Sequence, residues 1–381
     1  MARIVVGSWM IRYPMGGNLS WTLQWLVGFQ RLGHDVYLVE KAGFPSSCWD
    51  PSQGTMSDDC SYGVATINEL LAHYGLQERW CFVDATDSYH GLTRREVAEV
   101  FHSADLFVDI GTHGAWLEEA AASGLRVLVD GEPGYTQMKM ENRRIVGQEP
   151  PVYDYYYTNG ANIGTNRSSA PNADRAWRAI FNPVVVDLFE NGSPSPDSAF
   201  TTVMNWRSHA AIEFDGKVYG QKDMEFANFM ELPARTTVPL EVAVAGNKVP
   251  QDRLRECGWR VRDAHQVTAS YRAYKDYIRN SRGEFSVCKN VFVATNSGWF
   301  SDRSAAYLAS GRPVLLEDTG FSDHLPCGRG LFAVRSVSEA AAALQEVDGN
   351  YDRHSKWARE LAREHLDARV VLRKFLRQVG V

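Results

Sequence analysis

The stretch Thr295-Asn296-Ser297-Gly298-Trp299-Phe300-Ser301-Asp302-Arg303-Ser304-Ala305-Ala306-Tyr307-Leu308-Ala309-Ser310-Gly311-Arg312-Pro313-Val314 sets a small-residue loop, a capped helix and a buried strand end to end. Ser297 and Gly298 let the backbone approach a ligand, and Ser301 or Asp302 is placed to cap the helix that follows. Gly311 ends that helix and Pro313 opens the next strand. The first N–H groups of a helix lack partners within it and carry partial positive charge, so this helix start is a candidate anion site, with diphosphate the obvious anion. A capped helix feeding a strand also occurs in α/β proteins that bind no phosphate, so the segment identifies a fold unit before it identifies a ligand.

The same unit recurs along the chain. Short runs of Val, Ile, Leu and Tyr alternate with helical periodicity, which is the pattern of parallel α/β sheets. One series predicts strands at 3–8, 35–40, 80–84, 106–110, 126–130 and 154–159, with an amphipathic helix from Leu19 to Leu32 closing the first β-α-β unit. A second series predicts strands at 201–206, 240–245, 259–262, 283–287, 314–317 and 331–334, followed by helical sequence to the C-terminus. Between the two series, Asn191-Gly192-Ser193-Pro194-Ser195-Pro196 is a polar, turn-forming joint. The fold class is therefore α/β, with two Rossmann-like parallel-sheet domains facing a cleft. Ligands of such sheets bind at the carboxyl ends of the strands.

Bulk properties fit this layout and exclude others. At 381 residues the chain is long enough for about two domains. Its net charge of −6, with Lys and Arg spread along the chain, provides no basic stripe, so no nucleic acid is expected as a partner. Cys48, Cys60, Cys81, Cys257, Cys288 and Cys327 form no C-x-x-C pair, so neither a zinc site nor a disulfide scaffold is expected, and no metal is assigned. No apolar run approaches the roughly 20 residues that span a bilayer. The start Ala2-Arg3-Ile4-Val5-Val6 does not read as a signal peptide, which makes a reducing cytoplasm the expected location.

Ala306-Tyr307-Leu308-Ala309-Ser310-Gly311-Arg312-Pro313-Val314 resembles the small-residue helix, Gly and Pro-Val that close the donor site in GT-B glycosyltransferases. Asp318-Thr319-Gly320-Phe321 resembles the turn after their next strand, where backbone groups lie against the donor sugar. The resemblance is sharp over these 25 or so residues only, though the element order agrees over nearly the whole chain. It implies residues 1–190 as an acceptor-side domain, 191–355 as a donor-binding domain, and helices over 356–381 that cross back to the first. It further implies a nucleotide-sugar donor, a small-molecule or glycan acceptor, and no cofactor beyond the donor. In the retaining branch with the Glu-x7-Glu signature, carboxylates stand at the positions matching Gly298 and Ala306, and both are absent here. Asp302 can replace one of them as a ribose ligand, or it is simply an acid at a helix N-terminus.

A metal-independent transferase needs cations against the departing diphosphate. Arg207 follows the first strand of the second series, and Lys222 lies in a loop after Tyr219-Gly220; the resemblance implies an Arg and a Lys from this region in that role. Arg282, Lys289 and Arg303 are near the donor segment in sequence, with Arg303 ranked first among them. On the acceptor side, Gly16-Gly17-Asn18 before a helix permits a close ligand approach, yet it is not G-x-G-x-x-G, so a dinucleotide site is not expected. His113, in a Gly-flanked loop at a strand's carboxyl end, is the first candidate for the catalytic group, ahead of Glu132 and Asp109. Trp49, Tyr135, Tyr155 and Tyr157 are candidate walls for a sugar or flat aglycone. Two other readings stay open: a nucleotide-sugar epimerase of the same fold, and a non-catalytic cytoplasmic nucleotide-sugar binding protein.

Overall fold

The computed structural model describes residues 1–381. Its first half forms β1 (Arg3–Gly7), β2 (Asp35–Lys41), a hairpin of β3 (Cys48–Asp50) and β4 (Thr55–Ser57), then β5 (Trp80–Val83), β6 (Tyr89–Gly91), β7 (Leu106–Asp109), β8 (Leu125–Asp130), β9 (Tyr155–Thr158) and β10 (Trp177–Ala179). Eight of these make one sheet in the order β10-β9-β8-β7-β1-β2-β5-β6. All its pairings are parallel except β5 with β6. The second half forms β11 (Phe200–Asn205), a hairpin of β12 (Ile212–Phe214) and β13 (Lys217–Tyr219), β14 (Leu240–Ala245), β15 (Arg260–Asp263), β16 (Gly283–Ser286), β17 (Val314–Glu317) and β18 (Leu331–Val334). Its main sheet runs β15-β14-β11-β16-β17-β18, parallel throughout.

Every strand expected from the sequence is present, with ends shifted by a residue or so; most are apolar runs buried within a parallel sheet, while β15 is an edge strand with exposed and half-buried positions. The short hairpins β3–β4 and β12–β13, the antiparallel edge β6 and the edge strand β10 were not expected. They are three-residue segments with exposed or half-buried positions and carry little hydrophobic pattern.

The two halves are joined by more than the chain. One apolar core combines Met138, Val184, Val186 and Phe189 of the first half with Val291, Phe292, Trp299 and Phe300 of the second. An antiparallel bridge also links Gly160 with Trp299. At the C-terminus the helix Tyr351–Leu361 bridges the halves: Ala358 packs against Gly330 and His354 against Phe332, while Arg359 donates to the Phe189 carbonyl at 3.1 Å. A π-helical turn, Ala362–Leu366, follows, its Leu366 carbonyl accepting from Val184 N–H, and the helix Ala368–Val379 lies on the first domain, its Phe375 packing on Trp25, Phe29 and Tyr157.

Candidate active site

A cavity of about 320 Å³ opens between the two sheets. Helices of eight residues or more that start at its wall are Gly16–Arg31 from the first domain, and Lys222–Phe229 and Asp302–Ala309 from the second. The cavity lies beyond the carboxyl ends of β1, β7 and β8 on one side and of β11, β14 and β16 on the other, as expected for facing parallel sheets.

Its second-domain wall is cationic. Arg303 is held from behind: Nε donates to Glu284 Oε1 at 2.5 Å and Nη1 to the Val203 carbonyl at 3.0 Å, while Nη2 is buried without a partner. Glu284 is fully buried, so its charge is matched chiefly by this guanidinium, which it also fixes in orientation. Lys222 makes no ion pair or hydrogen bond within the protein. Burial, followed by repulsion from Arg303 and Lys289, lowers its pKa to about 7. Ser301 is the N-cap of Asp302–Ala309, in extended backbone geometry with no side-chain cap bond, and it lines the cavity beside Asp302. Burial raises the carboxyl pKa of Asp302 against the opposing pull of Arg303.

Facing this wall, the first domain presents Trp9, Trp21, His113, Gly131, Glu132 and Asn159. Asn159 and Trp21 both donate to Asn182 Oδ1 at 3.0 Å, and Asn159 Oδ1 is buried without a partner. His113 is exposed at the cleft with φ +51°. Asp109 explains that backbone: its carboxylate accepts N–H bonds from Gly111, Thr112 and Gly114 and the Tyr153 hydroxyl at 2.7–3.2 Å, folding the loop that presents His113. Asp109 is fully buried and does not line the cavity. Glu132 is engaged by Lys289 Nζ at 2.5 and 2.7 Å, with His209 Nε2 at 3.6 Å. Burial acts to raise its pKa, but Lys289 and His209 overcome that and hold it near 2.

Several residues singled out in the sequence lie elsewhere. Arg207 turns away to pair with Asp223 at 2.6 Å. Arg282, at the amino end of β16, lies over the Tyr351 ring and pairs with Asp348, and it does not line the cavity. Ser297 and Gly298 form the domain junction: the Ser297 carbonyl accepts from Asn162 N–H and the Gly298 carbonyl from Ala161 N–H. Gly298 has φ +75°, and a Cβ there would stand 2.7 Å from the Asn162 backbone nitrogen. No side chain fits, so the first carboxylate of Glu-x7-Glu is excluded by packing; Ala306, likewise, is buried in the apolar core. The turn 318–321 is one layer behind the cavity. Asp318 accepts from Gly320 N–H and pairs with Arg335, Thr319 donates to the Trp299 carbonyl, and Phe321 packs on Phe300.

On the other side, Gly16 is a contact between domains: its N–H donates to the Thr268 carbonyl, and a Cβ would lie 2.4 Å from Tyr274 Cβ. Gly17 and Asn18 do line the cavity. Trp49 stacks on His265 of the second domain, with ring centroids 5.1 Å apart and planes 6° apart. Tyr157 is core and Tyr155 lies under Arg178, because β9 is covered on both faces. Tyr135 stands against His209 and lines a neighbouring cavity. The residues that the sequence reading missed are Trp9, Trp21, Asn159, Asn182 and His209. Asn159 was accessible to the rule that selected His113, since it too ends a parallel strand, whereas Asn182 and His209 lie in irregular segments without a pattern.

Among solved structures, the chain is similar to an alpha-glucosyltransferase in complex with UDP and a 13-mer DNA containing a central A:G mismatch, at 10% identity over 100% of both chains with a TM-score of 0.61. It is similar to Anabaena HepE in complex with UDP-glucose at 12% identity over 99% of both chains, TM-score 0.57. Sucrose-phosphate synthase from Thermosynechococcus elongatus aligns at 12% identity over 99% of this chain and 98% of its own, TM-score 0.55. No protein-family model and no curated protein sequence matches the chain. The fold is GT-B, as the element order implied.

Proposed function

We propose that this protein is a metal-independent glycosyltransferase that moves a hexosyl or related group from a nucleoside-diphosphate sugar to an acceptor hydroxyl. The observation that carries the reading is the pair of uncommitted cationic groups, Lys222 and the free Nη2 of Arg303, beside the start of the helix Asp302–Ala309. A diphosphate placed there receives charged hydrogen bonds and helix N–H groups together. Charge that builds on the leaving phosphate as the glycosidic bond breaks is met by fixed cations, which is the task a divalent ion performs in metal-dependent enzymes. Similarly folded proteins hold UDP or UDP-glucose, which supports a nucleotide-sugar as the donor. The acceptor enters from the first-domain side, where His113 is free to take a proton or to hold the sugar. A small molecule or glycan suits an acidic protein better than DNA does.

Calorimetric titration with UDP, GDP, ADP and dTDP tests the first half of the reading, and release of nucleotide from the matching sugar donor in the presence of a chelator tests the second. One nucleotide is expected to bind, and its sugar donor to be hydrolysed slowly without added metal. Release of an epimerised sugar would instead identify an epimerase, and absence of binding by all four would sink the proposal.

A further inference from the structure

A second cavity, of about 360 Å³, adjoins the first and shares Trp9, His113 and Glu132 with it. Its walls are aromatic, with Trp9, Tyr135 and Tyr153 among them, and its rim carries Lys139 and Arg143. These two cations lie one helical turn apart on the helix Tyr135–Ile145, so they project on the same side. Neither has an acidic partner; Lys139 rests 5.5 Å from the Tyr135 ring centroid, while the neighbouring Arg144 is consumed by Glu141 and Asp174. The one acid of the lining, Glu132, already faces Lys289 and His209. The cavity therefore joins ring-sized apolar walls to two unspent positive charges and opens beside His113, where the acceptor side of the cleft lies.

We infer that this cavity is the acceptor subsite and that it takes an acceptor combining a ring with an anionic group, a phosphate or a carboxylate, which Lys139 and Arg143 hold away from the reacting hydroxyl. The inference rests on the transferase reading for the word acceptor, but the ligand chemistry follows from the cavity alone. Rings stack on Trp9 and Tyr135, and the two exposed cations add attraction that weakens with salt.

The test uses 4-fluorophenyl phosphate, 4-fluorophenyl β-glucuronide and 4-fluorophenyl β-glucoside as probes, followed by fluorine NMR on the full chain, with and without UDP. The phosphate or the glucuronide is expected to bind about five- to tenfold more tightly than the neutral glucoside, and the stronger of the two identifies the anionic group. That advantage should vanish in Lys139→Gln/Arg143→Gln, whose side chains are exposed and whose fold should be intact, while glucoside binding stays the same. Tyr135→Ala should weaken all three probes. Equal affinity for neutral and anionic probes, survival of the anionic advantage in the double variant, or displacement of the anionic probes by UDP would each overturn the proposal. If no nucleotide binds, the transferase reading fails separately, and the comparison of probes without UDP still reads the subsite.

Discussion

Lys289 Nζ, following β16 in the second domain, lies 2.5 and 2.7 Å from the two carboxylate oxygens of Glu132, following β8 in the first. This ion pair spans the cleft, and it changes what Glu132 can do. A carboxylate held near pKa 2 is a poor proton acceptor at neutral pH, and this one is committed to Lys289 of the facing domain. Glu132→Gln is expected to raise the donor KM about tenfold and to leave the acid limb of the pH–rate profile where it was. The folded-state pKa is depressed, so the pair's contribution to stability is complete above the ordinary Glu value of about 4.3 and is lost as pH falls from there towards 2. The Tm gap between wild type and Glu132→Gln should accordingly be constant from pH 6 to 8 and shrink between pH 4 and 3. A shifted acid limb in the variant would reinstate Glu132 as the base.

Lys222 should make nucleotide binding pH-dependent. Its pKa of about 7 in the free protein rises when a diphosphate neutralises Arg303 and Lys289 around it, so binding takes up a proton above pH 7. Affinity for the cognate nucleoside diphosphate should fall by up to about tenfold per pH unit above 7, and calorimetry in buffers of different ionisation enthalpy should register the uptake. The unfolded chain keeps this proton up to the ordinary lysine range near 10.4, so in the free protein the group contributes stability that grows from about pH 7 towards 10. Lys222→Met should therefore raise the Tm of the free protein at pH 7 while weakening nucleotide binding about tenfold or more. A variant that binds as tightly as wild type would remove Lys222 from the site.

The extent to which this was legible in the sequence follows from the physics of each element. Parallel strands buried on both faces announce themselves as apolar runs, so the two sheets were readable, and so was the rule that their carboxyl ends carry the site. That rule pointed to His113 and Glu132, the helix start to Ser301, Asp302 and Arg303, and the resemblance to Lys222; all six line the cleft. It could not show side-chain commitment: Arg207 and Arg303 look alike in sequence, yet Arg207 is half exposed and paired with Asp223, while buried Arg303 keeps an unpartnered nitrogen. Nor could it show that Ser297 and Gly298 meet residues 161 and 162, a contact between segments over a hundred residues apart. Small residues in a loop signal close approach, and here what approaches is the other domain.

Gly298 tests that last point. Its φ of +75° and the Asn162 backbone nitrogen 2.7 Å from a would-be Cβ make any side chain doubly unfavourable. Gly298→Ala is expected to lower stability by about 1–3 kcal/mol, measured by denaturant unfolding, and to increase amide exchange at residues 160–162. Gly298→Glu, which restores half of the Glu-x7-Glu signature, should damage folding rather than improve donor use. A well-folded, more active Gly298→Glu protein would show that the junction can open to admit a carboxylate.

His113 and Asp109 allow the proposed catalytic group to be tested apart from the residue that supports it. His113 is exposed, makes no hydrogen bond within the protein, and stands in a positive-φ conformation that non-glycine residues adopt uncommonly. Asp109 holds the loop through three backbone N–H bonds and the Tyr153 hydroxyl. His113→Ala should reduce kcat about 100-fold or more with nucleotide binding and Tm little changed, because it removes a side chain that stabilises nothing else. Asp109→Asn should behave differently. The amide retains the shape but loses the charge and some of the acceptor capacity, so stability should fall by about 1–3 kcal/mol and the loop should exchange amides faster. Its kcat should also fall, but by less than in His113→Ala, and the double variant should be no slower than His113→Ala alone, because Asp109 acts only through the loop that carries His113. Additive losses in the double variant would mean that Asp109 reaches the reaction by another route.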